Sequence, residues 1–287
     1  MERFKKQNLH TIFSFLFAIY KNSLYQKLMA KIISVVNQKG GVGKTTTVIN
    51  LATSLAAIKQ KILVIDIDPQ GNASTGLGVD AKERANSVYE LMFDDNLKLD
   101  DCTYETNVEG LYLVPATIDL AAAEVELYES KNKHFCLKKK IMDDISVYDF
   151  VFIDCPPSLG MLTINAMCAS NAVLIPMQCE FFSLEGLSHL LKTYNEMRKK
   201  LNPNLTIEGL LLTMYDSRNK LTSQVENDVR TFLKDRVYKT VIPRNVKVSE
   251  APSHGKPVII HDIDCAGARA YINLAKEVIA RNNIEIR

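Results

Sequence analysis

From Lys31 onward, short apolar runs alternate with stretches in which apolar residues recur at helical spacing. The runs at residues 32–36, 62–65, 111–114, 150–153, 173–176, 210–214 and 237–242 show little polar alternation. That is the pattern of strands whose sheet is covered by helices on both faces. Amphipathic stretches at 45–59, 119–129, 184–200, 223–234 and 266–280 predict the helices between them. Strand and helix in alternation predict an α/β fold, a doubly wound and mainly parallel sheet flanked by helices, with right-handed crossovers. In such a sheet ligands bind beyond the carboxyl ends of the strands. No repeat or low-complexity tract interrupts the pattern, so residues 29–287 are expected to form one domain.

The first 28 residues do not share this rhythm. They hold Arg3, Lys5, Lys6, Lys21 and Lys27 against Glu2 alone, around an apolar run at 11–20. The run is too short to span a bilayer as a helix. Three readings stay open for residues 1–28: an extension upstream of a start at Met29, a membrane-surface helix, or a processed signal.

Composition narrows the function. Of 287 residues, 47% are hydrophobic and 24% charged, which is ordinary for a globular chain able to bury a large core. The six cysteines include no C-x-x-C pair, so reduced thiols are expected rather than a disulfide or metal framework. The formal net charge is only +2, so any nucleic-acid site must be a local patch. Residues 192–256 hold 13 Lys/Arg against 7 Asp/Glu, which makes that stretch the place to look.

The chemistry gathers where the predicted strands end. Asn37-Gln38-Lys39-Gly40-Gly41-Val42-Gly43-Lys44-Thr45-Thr46 follows the first strand and opens the first helix. Glycines there let backbone N–H groups turn toward phosphates at a helix N-terminus. Lys44 is placed for the β- and γ-phosphates and Thr45 for Mg2+. The usual G-x-x-x-x-G-K-[ST] would have Gly at 38; here Gln stands there, and a second lysine, Lys39, opens the loop. After the second strand come Asp66 and Asp68, in D-I-D-P-Q-G-N. Carboxylates beside a phosphate loop can serve Mg2+ and the attacking water. The run 151–153 ends in Asp154, a pattern expected to hold Mg2+ through a water. Cys155 follows it without a nearby histidine base, which argues against a thiol nucleophile.

K-G-G-V-G-K-T resembles the deviant Walker A loop shared by ParA, MinD, the nitrogenase iron protein and the arsenite-pump ATPase. The resemblance implies an ATPase that binds ATP and Mg2+ through Lys39, Gly40, Gly41, Val42, Gly43, Lys44, Thr45, Thr46 and Asp154. It implies that Lys39 reaches a partner's nucleotide in a two-fold ATP-bound homodimer, and that Asp68 orients the attacking water. D-C-P-P-S at 154–158 and Pro-Arg-Asn-Val from Pro243 are similar to switch II and a signature segment of chromosomal ParA/Soj proteins. In them, Pro243 and Asn245 would lie against adenine, with Thr213-Met214-Tyr215-Asp216 closing the other side. N-K-x-D, the guanine signature, is absent from that position, which favours ATP over GTP. The similarity extends through nearly all of residues 30–282, including C-E-F-F-S-L-E-G-L (179–187) and V-P-A-T-I-D-L-A-A-A-E (114–124).

Within this superfamily a MinD protein should end in a basic amphipathic membrane helix, which 281–287 does not supply, so no stable membrane association is expected. An iron protein would need cluster cysteines. As a ParA/Soj relative the chain would be cytoplasmic and nucleoid-associated. It would bind DNA without sequence preference through Arg218, Lys220, Lys234 and Lys247, and work with a ParB/Spo0J-type centromere-binding protein. A MinD-like membrane-positioning ATPase and a DNA-binding regulator reset by hydrolysis are the rival functions.

Overall fold

The computed structural model describes residues 30–284; the three readings of residues 1–28 fall outside them. Seven strands form one sheet: β1 (Lys31–Val35), β2 (Ile62–Asp66), β3 (Tyr104–Glu105), β4 (Leu111–Val114), β5 (Phe150–Asp154), β6 (Ala172–Gln178) and β7 (Thr206–Thr213). Their order is β3-β4-β2-β5-β1-β6-β7. Every pairing is parallel except β3 with β4 at one edge. The doubly wound reading of the sequence is what the chain adopts. β1, β2, β5 and β6 are apolar and buried almost throughout, because helices cover both faces.

The longer helices are α1 (Lys44–Ala56), α4 (Leu120–Glu129), α6 (Met161–Ala169), α7 (Ser183–Lys200), α8 (Lys220–Leu233) and α11 (Ala266–Asn282). Shorter ones are α2 (Asn72–Gly76), α3 (Val88–Phe93), α5 (Cys136–Ile141), α9 (Val246–Glu250) and α10 (Val258–His261). They divide between two cores. One holds Ile32, Leu63, Val151 and Val173 with Leu120, Leu162, Leu190 and Val225. The other holds Ile33, Val64 and Phe152 with Leu51, Leu55, Tyr271 and Leu274. Alternate residues of β1, β2 and β5 thus supply opposite faces, as the two-residue strand period requires.

One expected strand does not form. Residues 237–242 meet β7 only at points: an isolated parallel bridge joins Leu210 with Val237, and the Tyr238 and Ile242 N–H groups donate to the Leu210 and Leu212 carbonyls at 2.9 Å, with a further bridge from Tyr215 to Pro243 just beyond. The reason lies in α11. Glu277 accepts hydrogen bonds from the Lys239 and Thr240 backbone N–H groups at 2.9 and 3.0 Å, and Arg281 donates to the Val237 carbonyl at 2.9 Å. At Val237, Lys239 and Thr240 side chains therefore satisfy backbone groups that a continuous ladder would otherwise pair. Tyr238 and Ile242 are nonetheless buried, which is why the segment reads as apolar.

Candidate active site

The first crossover builds the site. β1 ends at Val35, and the chain loops through 37–43 before α1 begins at Lys44. Gly41 and Gly43 have φ of +71° and +86°, a backbone region that side chains with a Cβ enter at a cost. The loop is held from outside itself. Asn37 donates to the Pro176 carbonyl at 2.7 Å and accepts from Lys39 N–H. Gln178 donates to the Gly41 carbonyl at 2.9 Å, and the Thr213 hydroxyl to the Val42 carbonyl at 2.8 Å. The ends of β6 and β7 therefore tie down the loop's carbonyls, leaving its N–H groups and the α1 N-terminus for an anion.

Lys44 is buried and its Nζ donates to the Lys39 carbonyl at 3.2 Å. Burial lowers its pKa, while Asp154, Cys155 and Asp68 oppose that shift. Lys39 is half-exposed and points elsewhere: its Nζ pairs with Glu180 Oε2 at 2.5 Å. Within one chain the two lysines are therefore separated in position and in burial.

Two buried carboxylates meet across the sheet. Asp66 closes β2 and Asp154 closes β5, and they are register partners. Asp66 accepts from Ser74 N–H and Oγ–H at 2.9 and 2.7 Å and from Asp68 N–H at 3.2 Å. Burial still pushes its pKa up to about 6. Asp154 has no hydrogen-bond partner for either carboxylate oxygen among the described residues. Thr45 lies close enough to ease its charge without bond geometry, and burial followed by repulsion from Asp66 raises its pKa well above the ordinary carboxylate range. A buried, unpartnered carboxylate next to a hydroxyl and a lysine is expensive unless a cation or ligand completes it.

The residues present fit Mg2+. This hard ion takes oxygen ligands and keeps several waters, relying on one or two protein groups plus phosphates. Among the described residues no group of three or more His, Cys, Asp or Glu could cage a metal, so a shared protein–phosphate site is the appropriate kind. Thr45 and Asp154 are the groups that would hold it.

Asp68 follows at the β2 exit, largely buried, with Oδ1 accepting from Gln70 N–H at 3.0 Å. Its charge is felt at both Lys44 and Asp154. Asp66 is committed to Ser74 and Asp68 N–H, which leaves Asp68 as the carboxylate free to meet a ligand. Cys155 is buried, and burial raises its thiol pKa well above the usual range; it stays a protonated filler.

On the far side, Tyr215 N–H donates to the Ile242 carbonyl at 2.9 Å and Arg244 N–H to the Tyr215 carbonyl at 3.1 Å. This brings the 213–216 turn against Pro243. Asn245 caps α9 by accepting from Val248 N–H at 3.3 Å, which is a structural task.

The four basic residues do not form one cluster. Arg218 and Lys220 sit at the start of α8, and Lys234 follows its last residue, about 20 Å away for a helix of this length. Arg218 is exposed and grips Asp216 with two bonds of 2.9 and 2.8 Å, while Lys247 pairs with Glu250 at 3.1 Å.

Several supporting residues escaped sequence reasoning. Arg84, nearly buried, donates to the Val79 and Ala116 carbonyls and to the Thr75 hydroxyl, stapling the segment after Asp68 to the β4 exit. Ser74, Gln178 and Glu180 also had no spacing signal, since each acts across the fold.

Over residues 30–207 the chain matches the AAA domain family. It is 52% identical over 252 residues to the sporulation initiation inhibitor protein Soj of Bacillus subtilis, covering 88% of this chain and 99% of that one. It is 49% identical over 253 residues to the chromosome partitioning protein ParA of Caulobacter vibrioides, covering 88% and 94%. Its fold is similar to the crystal structure of cobyrinic acid a,c-diamide synthase from Mycobacterium smegmatis with bound ADP and magnesium. There the TM-score is 0.76 and the identity 34%, over 88% of this chain and 94% of the other. These identities, each over 88% of the chain, show that it belongs to the Soj/ParA family of chromosome-partitioning ATPases.

Proposed function

We propose that this ATPase is a nucleotide-switched partitioning protein whose ATP-bound form is a homodimer that binds DNA without sequence preference. The observation that carries the reading is Asp154, buried with both oxygens unpartnered beside Lys44 and Thr45. A nucleotide with its metal ion would complete that arrangement. Lys44 would neutralise the β- and γ-phosphates, the loop N–H groups would orient them, and Asp68 would hold the attacking water in line. Mg2+, when bound, adds charge neutralisation at the phosphates. Phosphoryl transfer asks mainly for this positioning and electrostatic stabilisation.

Exposed ion pairs are weak, so Arg218 and Lys247 can exchange their carboxylates for DNA phosphates at little cost. Lys39 can likewise leave Glu180 for a partner's nucleotide. Domain extent from residue 29 to 287, the adenine role of Pro243 and Asn245, and regulation by a ParB-type protein belong to the same proposal. The membrane-positioning alternative gains no support from α11, whose Tyr271, Leu274, Val278 and Ile279 are buried in the core. No helix among the described residues is long and apolar enough to cross a membrane.

The test is co-sedimentation with random-sequence DNA with ATP, ADP or no nucleotide, followed by addition of a ParB-type protein. DNA binding confined to ATP, and faster hydrolysis with the partner, are expected. Equal binding in all three nucleotide states would overturn the switch.

A further inference from the structure

Helix α4 is apolar on two opposite sides. Leu120, Ala123 and Leu127 face inward and are buried in the core. On the other side Ile118, Val125 and Tyr128 follow one another at helical spacing and are 67%, 67% and 63% exposed, with Ala121 and Ala122 exposed between them. A helix that is apolar all round is ordinarily covered all round, and a contiguous exposed apolar face marks a surface that something covers. The mid-helix carboxylates do not break this face, because both are turned to neighbours. Glu124 accepts from Met161 N–H at 2.8 Å and Glu126 from the Tyr89 hydroxyl at 3.1 Å. Exposed Asp119 and Glu129 stand at the two ends of the uncharged strip. No Lys or Arg occurs from residue 117 to 130; beyond the strip, Lys133 stands over the Tyr128 ring at 6.0 Å.

We propose that residues 11–20 of the same chain cover this face. That run, T-I-F-S-F-L-F-A-I-Y, holds no charge and has the ten residues of α4 itself. Lys5 and Lys6 precede it and Lys21 and Lys27 follow it, so its flanks carry the sign opposite to Asp119 and Glu129. An apolar run and an apolar helix face are each costly in water, and burying one against the other removes both costs. The tether is long enough. Lys31 is the register partner of Phe150, so β1 and β5 start side by side, and the crossover from β4 through α4 returns the chain to that same edge. Ten residues, 21–30, span up to about 33 Å when extended, about twice the length of a ten-residue helix.

The experiment places benzoylphenylalanine at Ala122 of the full chain and irradiates a mixture of isotope-labelled and unlabelled protein. Peptide masses are expected to join position 122 to residues 11–20 of the same chain. Crosslinks between labelled and unlabelled peptides would put a second copy on the face, and no crosslink to residues 1–28 would put the run elsewhere; either overturns the proposal. Ile118→Glu combined with Val125→Glu should speed tryptic cleavage after Lys21 at least about tenfold, the scale of losing a buried aliphatic side chain. Nucleotide affinity should stay at the wild-type value, which shows the variant folded. With its run released, the variant should also pellet with anionic vesicles. The same variant begun at Met29, a length that matches 99% of the Bacillus subtilis relative, should not pellet. Equal cleavage rates in wild type and variant would overturn the docking. So would a wild-type chain that pellets as fully as the variant, which would assign the run to a lipid surface.

Discussion

Asp66 and Asp154 face each other as register partners at the ends of two neighbouring parallel strands, both fully buried. Three hydrogen bonds compensate Asp66, whereas Asp154 has none. In the nucleotide-free chain this pair works against stability, in the way that active sites commonly do.

Asp154→Asn should therefore stabilise the nucleotide-free protein. An unsatisfied buried polar group costs about 1–3 kcal/mol, and more if charged. At this chain length each kcal/mol moves Tm by roughly 2–4 °C. The sign with pH is fixed by the raised pKa of Asp154. Above the ordinary carboxylate range the unfolded chain has lost a proton that the folded chain keeps, so wild-type stability falls as pH rises. The variant's advantage should open from about pH 4 upward and be largest at neutral pH. Asp66, raised to about 6, adds a slope of the same sign between about pH 4 and 6, and because it repels Asp154 its share is not identical in the two proteins. Denaturant melts without Mg2+ or nucleotide check this, and a variant less stable at neutral pH would contradict it. With Mg2+ and ATP the order should reverse, because only wild type gains ligand stabilisation.

Lys44→Ala should abolish nucleotide binding. Its ammonium is the buried charge at the loop mouth, within the fields of Asp154 and Asp68. Lys39→Ala should leave ATP binding intact, since Lys39 is drawn away to Glu180, and lose the dimer. Fluorescent-nucleotide titration and sedimentation of both variants separate the roles. Equal loss of affinity in the two would merge them.

Arg218→Ala combined with Lys247→Ala should weaken DNA binding while ATP binding and dimerisation persist. Each lost phosphate contact flattens the slope of log K against log salt by roughly 0.9. Because both residues are already paired, with Asp216 and Glu250, Asp216→Asn should strengthen binding modestly. Unchanged affinity and slope in the double variant would move the DNA surface elsewhere.

Much of this arrangement was legible before any coordinates. The glycine loop, Asp68 and Asp154 stand at strand ends because apolar runs end there, and a parallel sheet gathers those ends on one edge. The 237–242 segment misled for a physical reason: Tyr238 and Ile242 are buried like strand residues and bond to β7, yet Glu277 and Arg281 take the backbone bonds of Val237, Lys239 and Thr240, and no continuous ladder forms. The helices α2, α3, α5, α9 and α10 were hidden because each has only 4–6 residues, too short to show a helical period. Arg84, Ser74 and Glu180 were invisible because their partners lie at distances in sequence that no local pattern encodes.

Asp68→Ala is the sharpest test of the site. Asp66 is occupied by Ser74 and the Asp68 N–H, and Asp154 with Thr45 provides the oxygens suited to Mg2+. Asp68 is thus left without a binding duty, apart from the Gln70 N–H on its Oδ1. If its work is to position the attacking water, the variant should bind ATP nearly as wild type does and hydrolyse it about 10²–10⁴-fold more slowly. Removing one of several carboxylates around Lys44 should tighten ATP binding slightly if it changes it, since the γ-phosphate would meet less negative charge. The protein would then accumulate as an ATP dimer that stays on DNA. A metal ligand behaves otherwise: its loss would weaken Mg2+-ATP binding, as Asp154→Asn should. Single-turnover hydrolysis and Mg2+-dependent ATP titration of the two variants side by side decide the matter. Wild-type turnover in Asp68→Ala, or an affinity loss matching that of Asp154→Asn, would take Asp68 out of the water-positioning role.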